Sequence, residues 1–258
     1  LEAASKELKD GASARIITRI GEWPIWRFDF PATSQASDGL QPIRVIITAG
    51  VHGNEPLGVT TALQIIKAFM EIPDLRKRFS LTVIPTFNPK ALQANSRHTP
   101  EGMDLNREFA QERWPGPFDQ IRSSIQNESF DLAIDLHGAL SRQGFFVIRG
   151  SEDASVAHQS LKRIRSERLL QSDSADYPGF VATSANPRAY QFDAAGSARS
   201  ETVGTLKGYF RDRGVNHSFT LEYPGELELN VQSLDYYRLA LATMYVTRMQ
   251  IASASAAK

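Results

Sequence analysis

At 258 residues, with 41% hydrophobic and 22% charged side chains, the chain has the composition of a soluble globular protein able to bury a substantial core. Lysine plus arginine and aspartate plus glutamate both number 29, so no overall basic field argues for nucleic acid or an anionic membrane. Cysteine is absent, which excludes disulfides and thiolate metal sites and leaves histidine, aspartate and glutamate to hold any metal.

No apolar run approaches the ~18 residues of a membrane helix. Residues 1–11 are polar and alanine-rich, unlike a signal peptide. The expected compartment is the cytoplasm, with the periplasm the alternative if a leader preceded Leu1. Residues 14–20 and 25–30 read as two strands about a turn at Gly21-Glu22, a hairpin at one sheet edge. A polar loop over 31–42 leads to the apolar run 44–49, a strand of the kind buried on both faces. That strand delivers the turn Gly50-Val51-His52-Gly53-Asn54-Glu55, and Pro56 suits the first position of a helix over 56–71. A short charged segment and a strand over 80–86 complete a strand–helix–strand unit. Residues 88–116 carry prolines, glycines and charges with little periodicity, and loops of that length in compact domains are usually functional.

A helix over 119–128 feeds a strand over 130–136, followed at once by His137-Gly138. Residues 144–149 read as a strand, and 153 to about 170 as a helix with Val156, Leu161, Ile164 and Leu169 on its apolar side. The Gly/Ser/Asn/Pro-rich stretch 171–200 reads as an irregular lid over a site. A helix over 201–211 closed by Gly214, a core strand over 217–222 and a long helix over 231–251 end the chain. Tyr236, Leu239, Ala240, Met244 and Val246 give that last helix an apolar stripe. With no repeat, low-complexity linker or composition break, the expected architecture is α/β: one domain over 1–258 with a mixed, mostly parallel β-sheet flanked by helices.

Ligands of open α/β sheets sit beyond the carboxyl ends of the strands, where His52, His137 and Glu222 all fall. Imidazole and carboxylate are both ligands of Zn²⁺, and two histidines with one carboxylate leave a fourth position for water, the pattern of catalytic zinc. Such a site needs a base for the water's proton, for which Glu222 is the candidate, and a fixed cation for the charge on the carbonyl oxygen. Asn106-Arg107 offers an amide and a planar fork suited to a carboxylate. Taken singly each residue has a plainer reading: a satisfied histidine at a strand end, a carboxylate meeting solvent, a charged loop.

His52-x-x-Glu55, Asn88-Pro89, Arg97, Gly102-Met103-Asp104-Leu105-Asn106-Arg107-x-Phe109, His137 and Phe219-Thr220-Leu221-Glu222 resemble, in order, the motifs of the zinc carboxypeptidases, peptidase family M14. The resemblance spans residues 46–222 and implies one Zn²⁺ per chain on His52, Glu55 and His137, the two-histidine, one-glutamate set of catalytic zinc. It implies Glu222 as general base and later acid, Arg97 as oxyanion donor, and Asn106 and Arg107 as the clamp on a substrate carboxylate. Asp104 matches an aspartate that hydrogen-bonds the first zinc histidine. Asp135, two residues before His137 and so on its strand face, can do likewise or serve the sheet alone. For the substrate-capping tyrosine Tyr190 is the nearest match, with Tyr209 and Tyr223 as rivals.

The His-Gly-Asn-Glu and Asp-Leu-Asn-Arg wording also resembles the succinylglutamate desuccinylases and aspartoacylases, which act on N-acyl amino acids and carry a further β-rich domain after the catalytic glutamate. The residues after Glu222 read mostly as one helix, which favours the carboxypeptidase branch and its short bacterial forms resembling murein peptide amidases. The expected partner is therefore a small peptide, cell-wall peptides included, or alternatively an N-acyl amino acid, with no nucleic acid and no membrane. A non-catalytic binding protein on the same fold is the remaining reading, disfavoured because ligands, base and both arginines are all present.

Overall fold

Four apolar runs pair in parallel to make the centre of the sheet: β4 (Phe79–Ile84), β3 (Ile43–Ala49), β5 (Leu132–Ala139) and β9 (His217–Pro224). Antiparallel strands close both sides, β2 (Trp23–Phe30) and β1 (Ser13–Ile20) on one and β6 (Phe146–Ile148) on the other, giving the order β1-β2-β4-β3-β5-β9-β6. The computed structural model describes residues 1–34, 36–140, 144–149, 154–164, 180–183, 186–192, 204–225 and 229–256. This is the mixed, helix-flanked α/β architecture expected from the strand–helix–strand pattern.

Each face of the sheet buries its own cluster. On one side Val45, Ile47, Ile134, Leu136, Phe219 and Leu221 pack under α2 (Pro56–Glu71) and the C-terminal helix α8 (Leu229–Ala256). On the other, Ile46, Ile84 and Ala133 meet α5 (Phe118–Ile125), α7 (Leu206–Asp212) and the aromatic set Phe87, Phe109, Trp114 and Tyr209. Helix α2 repeats apolar residues at helical spacing, with Ala62, Ile65, Ile66 and Phe69 buried, and starts on Pro56 as its sequence suggests. In α8 the stripe Tyr236, Leu239, Ala240 and Met244 is fully buried, while Val246 is half-buried.

Several boundaries differ from the sequence reading. The charged segment before β4 is a helix, α3 (Pro73–Arg78), and a short helix, α4 (Pro89–Gln93), capped by the Asn88 side chain, opens the long loop. A helix α1 (Glu2–Lys6) precedes β1, and α6 covers Ala154–Leu161, with 165–170 outside the described residues. The stretch read as an irregular lid contains a hairpin, β7 (Phe180–Thr183) and β8 (Asn186–Phe192), whose alternation is obscured by the glycines and prolines around it. The consequential correction is β5. It runs past Leu136 to Ala139, so His137 lies within a strand, directly across from Glu222.

Helix α8 fastens this region. The buried hydroxyl of Tyr236 is shared between the carbonyls of His137 (2.9 Å) and Leu221 (2.6 Å), tying the ends of β5 and β9 together from below. Tyr236→Phe keeps the ring and removes that bridge, so we expect it to lower unfolding stability by about 1–2 kcal/mol in urea titrations. An unchanged midpoint would show that the bridge contributes nothing.

Candidate metal centre and active site

The turn after β3 is shaped by close approach. The N–H groups of Gly53 and Asn54 both donate to the Ser96 carbonyl, and a Cβ on Gly53 would stand 1.9 Å from the Ala91 carbonyl carbon, so only glycine fits between His52 and α4. Glu55 occupies the N-cap of α2 without capping it; its side chain turns instead to the histidines, at the positive end of the helix.

His52, Glu55 and His137 are brought together with 2–3% of their surface exposed. Their ligand atoms all lie within 4.8 Å of one another, a group that can hold a metal ion. Both imidazoles aim Nδ1 at the same carboxylate, His52 at 2.7 Å from Oε1 and His137 at 2.8 Å from Oε2, and Gly138 N–H donates to Oε2 at 2.9 Å. The outer nitrogens meet carboxylates of their own: His52 Nε2 lies 3.0 Å from Asp104 and His137 Nε2 2.8 Å from Asp135. The donor set therefore fits a divalent cation, with two imidazole nitrogens and a carboxylate facing inward and each ring anchored from outside.

Charge follows from this packing. Burial alone drives the Glu55 carboxyl up, yet the two histidines outweigh it and bring it down to about 2. Burial opposes protonation of His137, but Asp135 and Glu55 overcome it and raise the imidazole well above its ordinary range. Glu222 moves the other way: burial, with Glu55 and Asp135 adding to it against His137 and Arg97, pushes its carboxyl up to about 8.

Arg97 is fixed by Asp104, which accepts from its Nη2 at 2.9 Å and its Nε at 3.2 Å, and Nη1 reaches within 3.3 Å of His52 Nδ1 and 3.6 Å of Glu55. Burial raises Asp104, but His52 and Arg97 prevail and hold it well below the usual carboxylate range. Asn106 is buried, its side-chain oxygen accepting from Leu206 N–H at 3.1 Å, while its amide nitrogen lies 3.4 Å from His137 Nε2. Arg107 is exposed and donates to the Asn106 carbonyl at 2.8 Å. Its backbone is locked by Gly204, at φ +81°, where a Cβ would stand 2.1 Å from the Arg107 carbonyl oxygen.

The tyrosines separate clearly. Tyr209 is buried between Trp114 and Phe210 with Arg213 over its ring at 4.0 Å, and Tyr223 is buried with its phenol beside the Leu57 N–H. Both are packing residues. The Tyr190 backbone sits on β8 opposite Ala182, and its side chain lies outside the described residues. The polar roles of Thr48 and Tyr236 are not evident from the sequence. Thr48 had a signal, a hydroxyl inside an otherwise apolar strand; Tyr236 had none, because in the sequence it reads only as part of an apolar stripe.

The sheet, its helices and the clustered ligands define a carboxypeptidase-like α/β fold of the metallohydrolase class. A metallo-carboxypeptidase from Burkholderia cenocepacia superposes with a TM-score of 0.63 at 20% identity, covering 98% of this chain and 67% of that one. Bovine thrombin-activatable fibrinolysis inhibitor, in complex with tick carboxypeptidase inhibitor, gives 0.66 at 14% identity over 95% and 93%. A Shewanella denitrificans protein provisionally described as a metallopeptidase gives 0.68 at 15% over 94% and 86%. These likenesses are likenesses of fold. No curated protein sequence matches the chain. A family model does: residues 41–196 match the succinylglutamate desuccinylase/aspartoacylase catalytic domain, and the chain belongs to that family and is a hydrolase. His52, Glu55, Arg97, Asp104, Asn106, Arg107 and His137 fall within the matched span; Glu222 lies beyond it.

Proposed function

We propose that the chain is a zinc-dependent amidohydrolase that releases the C-terminal residue of a short peptide, cell-wall peptides included. The observation that carries this reading is the buried convergence of His52, Glu55 and His137 beside Glu222, the cross-strand partner of His137. These three residues would hold one Zn²⁺ per chain. When bound, zinc supplies Lewis acidity that activates water and polarises the scissile carbonyl.

The protein's own groups do the rest. Glu222 takes the proton of the attacking water and returns it to the leaving nitrogen. Arg97, held rigid by Asp104, faces the developing oxyanion, where a pre-placed cation acts mainly on the transition state. Arg107 supplies a guanidinium for the substrate's terminal carboxylate. Asn106 has one amide face committed to Leu206, so it contributes through its nitrogen alone. Tyr190 is the proposed capping residue over the bound substrate.

The family match favours a second reading, in which the carboxylate-bearing product is a free amino acid released from an N-acyl group. The chemistry is unchanged; only the group on the far side of the amide differs. Zinc-loaded protein incubated with free-acid peptides, cell-wall tripeptides and N-acyl amino acids, with products read by mass spectrometry, separates the two. Release of C-terminal residues supports the carboxypeptidase reading. Cleavage of acyl amino acids alone would replace it with the deacylase one, and silence across a panel tested with bound zinc would count against both substrate classes.

A further inference from the structure

The two histidines of the centre are anchored differently. Asp104, which holds His52, sits in the loop before Asn106, has a fifth of its side chain exposed, and divides its oxygens between His52 and Arg97. Asp135, which meets His137, is built into the sheet. It lies on β5 between Ile134 and Leu136, pairs across the ladder with Thr48 on β3, and is 2% exposed. The Thr48 hydroxyl, itself fully buried, donates to Asp135 Oδ1 at 2.7 Å, leaving Oδ2 for His137 Nε2 at 2.8 Å.

The sheet has no need of this pair. Between two central strands an isolated carboxylate is costly to bury, and an apolar residue, like its chain neighbours Ile134 and Leu136, would fill the space without that penalty. Thr48 likewise stands among Ile46, Ile47 and Ala49, where a valine would fill the same volume. What the pair achieves is directional. Thr48 occupies one oxygen of Asp135, so the other faces the ring with an acceptor, which requires the proton on Nε2 and leaves Nδ1 to point at Glu55.

We propose that Asp135, held by Thr48, is a positioning residue that fixes His137 in the Nε2–H form with Nδ1 presented to the metal centre. The inference rests on the metal-site reading given above. Asp135→Asn keeps the shape but leaves one acceptor oxygen for two donors, so the amide nitrogen turns toward either the threonine or the ring. Facing the ring, it selects the Nδ1–H form, which closes the site.

The test compares the parent protein with Asp135→Asn, Thr48→Val and Thr48→Ser. Zinc and cobalt affinities are measured by chelator competition, and the His137 ring signals of the zinc-loaded proteins are followed by ¹⁵N-resolved NMR. Asp135→Asn is expected to weaken metal binding by about 10–100-fold and to remove the hydrogen-bonded Nε2–H signal. Thr48→Val, which frees one oxygen of Asp135 to rotate away, should weaken binding by about fivefold, the equivalent of one lost hydrogen bond. Thr48→Ser keeps the hydroxyl and should bind as the parent does.

Parental affinity with the parental ring signal in Asp135→Asn would overturn the proposal. If that variant fails to fold, the threonine pair decides: equal affinities for valine and serine overturn it, and a loss confined to valine supports it. A parent protein that binds neither metal overturns the metal-site reading itself, and its own titration tells that failure from the failure of Asp135 alone.

Discussion

Glu222→Gln is expected to reduce turnover by roughly two to four orders of magnitude while leaving metal affinity close to that of the parent. The substitution is isosteric and sits on β9 across from His137, outside the group that can hold a metal ion. In the proposed mechanism it removes proton transfer without removing a ligand. The same residue should set the acid limb of the pH–rate profile. In the metal-free protein, burial pushes its carboxyl up to about 8, a value at which it would be protonated and useless as a base at neutral pH. A divalent cation on Glu55 and the two histidines adds attraction for the carboxylate and brings that value down. The limb of kcat/KM in the zinc-loaded enzyme therefore belongs below 8, and in the glutamine variant it should vanish along with the rate. Turnover within tenfold of the parent, with the limb still in place, would locate the base elsewhere.

How far the site was legible depends on which forces place each part. His52, Glu55, Asp104, Asn106 and Arg107 lie in short local motifs, a strand-end turn and a loop, whose spacing alone brings pairs of them together. The strand ends carrying His137 and Glu222 were legible from apolar runs, because parallel strands buried on both faces have little other way to read. The extension of β5 through His137 was not. Gly138 interrupts the apolar pattern there, and what keeps the strand paired to Ala139 is the ladder with β9 and the Tyr236 hydroxyl, both contributed by residues more than seventy positions away. The β7–β8 hairpin was hidden for a related reason: its pairing is set by cross-strand register, while its composition is that of a loop. Asp135 was visible but undecided, since only the ring on its far side and the Thr48 hydroxyl on the near side give the carboxylate a direction.

Metal-free protein is expected to lose stability as pH rises from about 5 to 8, and zinc is expected to reverse the loss. His137 has its folded-state pKa raised well above 6.5, so its contribution is complete below 6.5 and is lost as pH climbs through the folded value. Glu222 acts in the same direction. The unfolded chain gives up this proton near 4.5 while the folded site retains it to about 8, so the penalty grows across that interval. Glu55 works oppositely, with a folded value of about 2; its stabilisation is complete above 4.5 and fails only as pH falls toward 2, outside the window in question. Each proton that the folded site holds and the unfolded chain does not steepens the decline by up to about 1.4 kcal/mol per pH unit.

A cation between the inward-facing Nδ1 atoms competes with protonation of the His137 imidazole, which Glu55 and Asp135 favour, so binding should release protons and tighten as pH rises. At a thousandfold excess over Kd it adds about 4 kcal/mol of stability. Glu55→Gln supplies the control: with one ligand charge removed, both the zinc-dependent gain and the proton release should disappear. Denaturant unfolding at pH 5 and pH 8, in chelator and in zinc, with calorimetry in buffers of different ionisation enthalpy, measures all of these quantities. Equal stability at the two pH values in chelator, with no proton released on zinc addition, would mean that the cluster holds its charges in some other arrangement and that its histidines do not turn Nδ1 toward a common metal.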